Sequence, residues 1–491
     1  MSWEPVIGLE IHIQLSTQTK MFCGCSPAFG DEPNTHTCPV CLGHPGTLPV
    51  PNAQALAYAL QIAAAFECEV ARSSIFHRKN YFYPDLPKGY QISQHEIPLA
   101  SDGRLGDIRI HRVHLEEDAA KLTHLGESGR IHGSEASLID FNRGGSPLVE
   151  IVTEPDLRSA AQARDWLTLL RTTVRQLGVS DVNMDEGSLR ADANVSLRPV
   201  GSEELGVKTE LKNMNSFRFI ERGVDAELER QAGILDSGGR VEQETLHFDP
   251  QSGGLTAMRS KEHIHDYRYF PEPDLVALAP TEAMIAAARD ALPELPAARA
   301  QRLATELGLT PDAANQLAFD APLGDFFEAA LESARSMGAI EGAGEPPSAQ
   351  TIANWATGEL VASLREAGCE SAPESRLDPA GLARLAALVE AKQITRSVGR
   401  DLLTTLVAHG GEPDEIIARE GLAAVGGGDG GGELAEIVTR AIAENAGAAE
   451  KVAAGNEKAI GAIVGYVMRE TQGRADGGDV TRLIRAQLGI E

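Results

Sequence analysis

The sequence predicts an α+β protein: an N-terminal mixed β-sheet domain, then an all-helical domain and a small helical tail. From residue 3 to about residue 275 the pattern is strand-rich, broken by turn signals such as Arg143-Gly144-Gly145-Ser146-Pro147. After Pro273 the texture changes to Ala, Leu and Glu at helical spacing, with few aromatics. Chemistry-bearing residues concentrate in the first part, where 12 of 13 histidines and five of six cysteines precede residue 266. The expected organisation is a first domain over 1–292, a helical domain over 293–424 and a tail over 433–491. The Gly-rich stretch 425–432 reads as a flexible linker.

Two strands are two-faced. In residues 6–15, Ile7, Leu9, Ile11 and Ile13 alternate with Glu10, His12 and Gln14, so the polar three share a face. In 189–199, Leu189, Ala191, Ala193, Val195 and Leu197 oppose Arg190, Asp192, Asn194, Ser196 and Arg198. A charged sheet face suits metal and phosphate; it also suits an antiparallel sheet with one wet side. Helices are expected over 52–66, 159–177 and 215–235 in the first part. Later ones are expected over 281–292, 296–307, 349–367 and 379–392, and the tail is helical throughout.

The 491 residues carry a net charge of −27, which opposes indiscriminate nucleic-acid binding but leaves room for a locally basic site. Apolar runs are short and interrupted, and Met1-Ser2-Trp3-Glu4-Pro5 leads straight into a strand. No membrane span or signal peptide is expected, and the expected location is cytoplasmic. Ten lysines stand against 34 arginines, and Lys20, Lys79, Lys88, Lys121, Lys208, Lys212 and Lys261 all fall in the first part. A compact ammonium suits phosphate or metal-site chemistry.

Cys23-Gly24-Cys25 and Cys38-Pro39-Val40-Cys41 form two close pairs separated by 12 residues, the layout of a structural tetrahedral zinc site. Disulfides are the alternative, disfavoured in a reducing compartment. Cys68 and Cys369 read as core residues. His114-Leu115-Glu116-Glu117-Asp118 supplies adjacent acids, and Leu148-Val149-Glu150-Ile151-Val152 places one carboxylate in an apolar strand. Such a group needs a partner or a metal, and Glu10, His12, Glu117 and Glu150 can form a magnesium site. The segment 78–90 interleaves cations with aromatics. Its Lys79, Tyr81 and Lys88 suit a base and a phosphate, or belong to a packed Pro-punctuated loop. Lys208, Glu210 and Lys212 share one strand face. No P-loop and no dinucleotide-binding glycine motif occurs.

The stretches VIGLEIHIQL, KMFCGC, NTHTCPVCLGHPGTLPV, RKNYFYPDLPKGYQISQ, HLEEDAAKLTH, DFNRGGSPLVEIVTEPDL, RADANVSLRP, TELKNMNSFRFIERG and DYRYFPEPDL occur in order from residue 6 to 275. Together they resemble the B-subunit family of the aspartyl/glutamyl-tRNA amidotransferases, whose helical and tail domains the remainder is similar to in layout. The resemblance implies a cradle-shaped first domain and a heterotrimeric, glutamine-dependent enzyme. It would convert Glu on mischarged tRNA(Gln), or Asp on mischarged tRNA(Asn), to the amide. A chain of this family would use ATP and magnesium to phosphorylate the side-chain carboxylate. Ammonia made by a partner, the glutaminase of the heterotrimer, would displace the phosphate, and a small third partner would clamp the assembly.

The family's magnesium positions carry over onto Glu10, His12, Glu117 and Glu150, and its zinc ligands onto Cys23, Cys25, Cys38 and Cys41. Lys79, Tyr81, Lys88, Lys208, Glu210 and Lys212 are the expected contacts for ATP or the tRNA 3′ end. The competing classes are a zinc-stabilised RNA-binding module without activity and a stand-alone metal-dependent amidase. Carboxyl activation needs no protein nucleophile, and none is visible. In the tail, six basic residues (Lys451, Lys458, Arg469, Arg474, Arg482 and Arg485) stand against four acids over 451–485. They suit a mobile grip on the tRNA body or an ordinary solvated bundle, and Gly461 and Gly465 suit close approach of another backbone.

Overall fold

The computed structural model describes residues 2–125, 134–212, 214–250, 252–257, 267–337, 346–426 and 431–490. Lys261 and the linker residues Gly427, Gly428, Asp429 and Gly430 lie outside the described residues. Two units are present, Met1–Leu295 and Pro296–Glu491.

The first unit is built on 14 strands among the described residues: β1 (Trp3–Gln14), β2 (Glu69–Val70), β3 (His77–Asn80), β4 (Tyr90–Ser93), β5 (Ala100–Leu105), β6 (Ile108–Glu117), β7 (Lys121–Leu125), β8 (Ala136–Asp140), β9 (Pro147–Thr153), β10 (Leu189–Pro199), β11 (Thr209–Lys212), β12 (Thr245–Phe248), β13 (Leu255–Ala257) and β14 (Phe270–Pro271). Nine make one sheet in the order β13-β12-β11-β10-β1-β9-β6-β5-β2. Its described pairings are antiparallel except β11 with β12, so the sheet is mixed as expected. A small sheet β14-β3-β4 and the hairpin β7-β8 complete the unit.

Three helices follow from local signals. Asn52 caps α1 (Ala53–Ala65), accepting the N–H groups of Gln54 and Ala55. Ser159 caps α2 (Ala160–Leu177), which ends at Gly178 in the left-handed region. Ser216 caps α3 (Phe217–Asp236). Their apolar sides (Leu60 and Ile62, Trp166 and Leu170, Ile220 and Val224) share one core with Ile7, Leu9, Ile11, Ile13, Val149, Ile151, Ala191 and Ala193. One face of the sheet is therefore dry, and the polar residues of β1 and β10 stand on the other.

In β6 the register against β9 shifts between Ile110 and Arg112. A bulge adds one residue and so reverses which parity faces the core. Ile108 and Ile110 are buried before it, Val113 and Leu115 after it. Arg112, His114 and Glu116 are thereby delivered to the polar face.

The second unit is helical. A first apolar core gathers Phe327, Leu360, Leu382, Leu385, Leu402 and Leu406. The helix expected over 349–367 is interrupted by a π-helical segment at Trp355–Leu360. A second core unites Val438, Ile463, Val467, Val480 and Ile484. One expectation is corrected here. Val425 is buried in that second core and donates its N–H to the Arg474 carbonyl, while Gly431 and Gly432 open a helix, Gly431–Glu444. The apolar stripe Leu434, Ile437, Val438 and Ala441 outweighs the two glycines at the helix end. At Gly461 and Gly465, among the described residues, no neighbouring atom beyond the helix's own backbone lies within 4 Å of where a Cβ would stand. Among the described residues, no helix is long and apolar enough to cross a membrane.

A Cβ at Gly103 would lie 2.2 Å from Cys68 Sγ and 2.5 Å from the Phe66 carbonyl oxygen. Gly103→Ala is expected to destabilise the protein by about 1–3 kcal/mol. Gly233→Ala, in open space within α3, is expected to stabilise it by about 0.5–1 kcal/mol. Thermal unfolding of the two variants checks both signs.

Candidate active site and metal centres

Five adjacent strands contribute to one polar patch. The register sets His12 on β1 opposite Glu150 on β9 and opposite Arg190 on β10, and Glu10 opposite Asp192. His114 on β6 lies opposite Glu150 from the other side, and Asn194 opposes Glu210 on β11. His12 Nε2 is 3.7 Å from Glu10, 3.6 Å from Glu116 and 3.5 Å from Glu150. His114 Nε2 is 3.2 Å from Glu150 and 3.9 Å from Glu116. Two overlapping groups, Glu10-His12-Glu150 and His114-Glu116-Glu150, each bring their ligand atoms within 4.8 Å of one another. Carboxylates and imidazoles so converged are a donor set for a hard divalent cation.

The electrostatics are those of a desolvated ion cluster. Burial alone would raise the Glu150 carboxyl, but His114 and His12 more than offset it and hold it well below the usual carboxylate range. Burial would lower His114, yet Glu150 and Glu116 push it up to about 9. Glu10 is raised, first by burial and then by the Glu150 charge. Arg112 reaches Glu150 at 3.4 Å. Asp118 takes Arg190 at 2.9 Å and Arg143 at 3.4 Å.

Above this patch stands the small sheet. Lys79 on β3 lies 4.9 Å from the Tyr267 ring centroid. Burial would lower its ammonium, but Glu116, the neighbouring tyrosines and Glu150 raise it, so it stays charged. Tyr81 meets Tyr267 edge-on with centroids 6.0 Å apart, and Tyr269 stacks on His95 at 4.1 Å. An ammonium beside aromatic faces over an acid patch can hold a phosphate and a base together.

The four cysteines also converge. The Sγ atoms of Cys23, Cys25, Cys38 and Cys41 all lie within 4.8 Å of one another, and all six cysteines are free thiols. The Cys38–Cys41 sulfur separation is 3.8 Å. A zinc tetrahedron with metal–sulfur distances of about 2.3 Å has edges of about 3.8 Å. The Cys38 N–H points at Cys41 Sγ at 3.2 Å. The Cys41 thiol is pulled down, first by the Cys23 sulfhydryl, while Cys23 is pushed up.

Several expected site residues are placed differently from the sequence reading. Glu117 is not with Glu10, His12 and Glu150. Period two turns it to the opposite face, where its carboxylate pairs with Lys88 and accepts the Ile92 N–H at 2.9 Å. Glu116 occupies the position expected for it, and Ser93 Oγ donates to it at 3.0 Å. Lys88 leaves Lys79 and Tyr81 and lines, with Cys41 and Glu117, a pocket beside the cysteines. Lys208 precedes β11 and is exposed. Lys212 pairs with Asp192 at 2.8 Å and Glu210 at 2.9 Å, at the Glu10 edge of the patch. Missed by the sequence reading were His114, Glu116 and Arg112 as one set, together with Tyr267 and Tyr269. The alternation Arg112-Val113-His114-Leu115-Glu116 was the available signal for the first three.

Glu116→Gln and His12→Ala are expected to weaken Mn²⁺ binding to the protein about tenfold or more. Glu117→Gln is expected to leave it nearly unchanged. Titration calorimetry or Mn²⁺ paramagnetic resonance discriminates; equal losses in both glutamate variants would refute the geometric assignment.

Residues 5–286 match the family model described as the GatB/GatE catalytic domain, and residues 339–488 match the one described as the GatB domain. The chain is 45% identical over 496 residues to the B subunit of the aspartyl/glutamyl-tRNA(Asn/Gln) amidotransferase of Persephonella marina, covering 99% of this chain and 100% of that one. It is 46% identical over 509 residues to the protein of the same name from Thermobifida fusca, covering 99% and 94%. The Brevibacillus brevis protein of that name is 44% identical over 495 residues, covering 99% of each. Matched by the two family models over residues 5–286 and 339–488 and by these relatives over 99% of its length, the chain belongs to the B-subunit family of the aspartyl/glutamyl-tRNA(Asn/Gln) amidotransferases.

Proposed function

We propose that this chain is the carboxyl-activating subunit of a glutamine-dependent tRNA amidotransferase. It takes mischarged Glu-tRNA(Gln) or Asp-tRNA(Asn) and transfers the γ-phosphoryl group of ATP to the side-chain carboxylate. The carboxylate oxygen forms the new bond to phosphorus, and ADP leaves. Ammonia, supplied by a glutaminase partner in a heterotrimer completed by a small third partner, then attacks the acyl carbon and expels phosphate. The observation that carries this reading is the carboxylate-imidazole patch under Lys79.

The residues divide the work. Glu10, His12, Glu116 and Glu150 would hold magnesium, which when bound supplies neutralisation of the triphosphate and of the transferred phosphoryl group. Lys79, kept charged by the carboxylates below it, adds a fixed cation for phosphate oxygens. Tyr81, Tyr267 and Tyr269 offer faces to a base. The attacking carboxylate is already anionic at neutral pH, so the first step asks for orientation and charge stabilisation rather than a protein nucleophile. Cys23, Cys25, Cys38 and Cys41 would hold a structural zinc.

The tail is proposed to grip the tRNA body. Several of its cations are already engaged: Arg485 with Glu457 at 2.9 Å, Arg482 with Asp479 at 2.7 Å, and Arg474 with the Thr471 and Gly421 carbonyls. Lys451, Lys458 and Arg469 have no such pairing among the described residues, which leaves them for phosphate.

Three outcomes are expected of the assembled enzyme. Glu150→Gln abolishes tRNA-dependent ATP hydrolysis, a loss of about 3–4 kcal/mol or more in transition-state stabilisation. The partner's glutaminase site stays intact, and normal amidation by this variant would overturn the assignment. Metal analysis gives about one zinc per chain, lost in Cys38→Ser with a lower melting temperature. Lys451→Glu with Lys458→Glu weakens tRNA binding for all sequences alike and flattens its salt dependence by about one unit of slope per lost contact.

A further inference from the structure

Lys20 is the only lysine among the buried residues described, with 1% of its surface exposed. Lysine is almost never buried without a partner, because an ammonium loses its hydration and has only three donors to regain it. All three are aimed here. Nζ donates to the His36 carbonyl at 2.8 Å and the Phe141 carbonyl at 3.0 Å, and it points at Cys41 Sγ at 3.9 Å. No carboxylate pairs with it among the described residues. Its own backbone N–H donates to the Cys25 carbonyl at 2.9 Å. The side chain thus runs from the Cys23-Cys25 segment to the Cys38-Cys41 segment.

The room for it is built in. Gly145, at φ +87°, lies against the Lys20 stem: a Cβ there would be 3.5 Å from Lys20 Cδ and 3.7 Å from Cys41 Cβ. Two carbonyl dipoles do not by themselves balance a buried positive charge. Four thiolates around a divalent ion carry a net charge of −2, and that does balance it. An apolar residue of similar length would fit the same slot without the desolvation cost, so the ammonium makes sense only against a charged centre.

We propose that Lys20 is the counter-cation of the four-cysteine zinc site, a positioning residue that holds the Cys41 thiolate and offsets the charge of the loaded centre. The inference rests on the zinc reading given above and goes beyond it. It makes the cysteine quartet a five-residue unit, with the fifth member three residues ahead of the first cysteine.

The test uses the full-length chain, its Lys20→Met and Lys20→Gln variants, and Zn²⁺ itself as the probe. Zinc affinity is measured by competition with a chromophoric chelator, and Co²⁺ substitution reports thiolate coordination through its charge-transfer and ligand-field bands. Melting temperatures are measured for the zinc-loaded and zinc-stripped forms. The expected result is at least a tenfold loss of zinc affinity in Lys20→Met, with tetrahedral Co²⁺ bands retained. The rise in melting temperature on loading also shrinks, because the stripped variant no longer buries an uncompensated ammonium. A lysine that serves packing alone would lower both melting temperatures equally and leave the zinc affinity unchanged, and that outcome overturns the proposal. Should Lys20→Met fail to fold, Lys20→Gln, which keeps donors for the two carbonyls but no charge, decides by the same affinity comparison. A wild-type chain that takes up neither Zn²⁺ nor Co²⁺ overturns the zinc reading and this inference with it. Uptake equal in wild type and variants overturns this inference alone.

Discussion

A carboxylate at the centre of an apolar strand is the constraint around which the first unit is arranged. Glu150 sits between Val149 and Ile151, on a strand flanked on both sides, and is 4% exposed. Left alone there, its charge would be prohibitively desolvated. The neighbouring strands answer it from both sides: His12 from β1, His114 and Arg112 from β6. Each of the two histidines in turn sits beside a further acid, Glu10 or Glu116. A buried pair of this kind is weak evidence for stability, since apolar residues would serve as well or better. Its persistence in the middle of a sheet speaks for chemistry.

The architecture keeps that chemistry on one side. Helices α1, α2 and α3 cover the dry face, so folding energy comes from the odd-numbered residues of β1 and their equivalents. The even-numbered residues are released from packing and carry charge. Strand β4 then crosses the end of β6, where Gln91 donates to the Glu117 carbonyl and Ser93 to the Glu116 carboxylate. That contact places the small sheet, with Lys79 and Tyr81, over the acid patch instead of over solvent.

The cysteine centre and the acid patch share backbone. Gly145 donates to the Asp118 carbonyl and accepts from the Met21 N–H, which ties the turn before β9 both to the end of β6 and to the segment leading into Cys23. Glu150 follows five residues later. A metal held by the four cysteines would therefore stand only a short backbone path from the strand that carries the central carboxylate. The connection is short and rigid, made of backbone hydrogen bonds.

Much was legible in the sequence because it is written in local period. The two-faced character of β1 and β10, the lone acid in β9, the cysteine pairs and the helices capped by Asn52 and Ser159 need only alternation, spacing and capping chemistry. The alternation over 112–116 groups Glu116 with His114; what the sequence could not decide is which face of β6 that group joins, since that depends on the bulge between Ile110 and Arg112 and on the strands beside it. A bulge inserts one residue without leaving a mark in composition, and one residue is enough to exchange the faces. The pairing of Lys88 with Glu117, the burial of Lys20 and the use of Val425 as core instead of linker have the same origin. Each depends on a partner far away in the chain, and long-range burial overrides what a short segment prefers on its own.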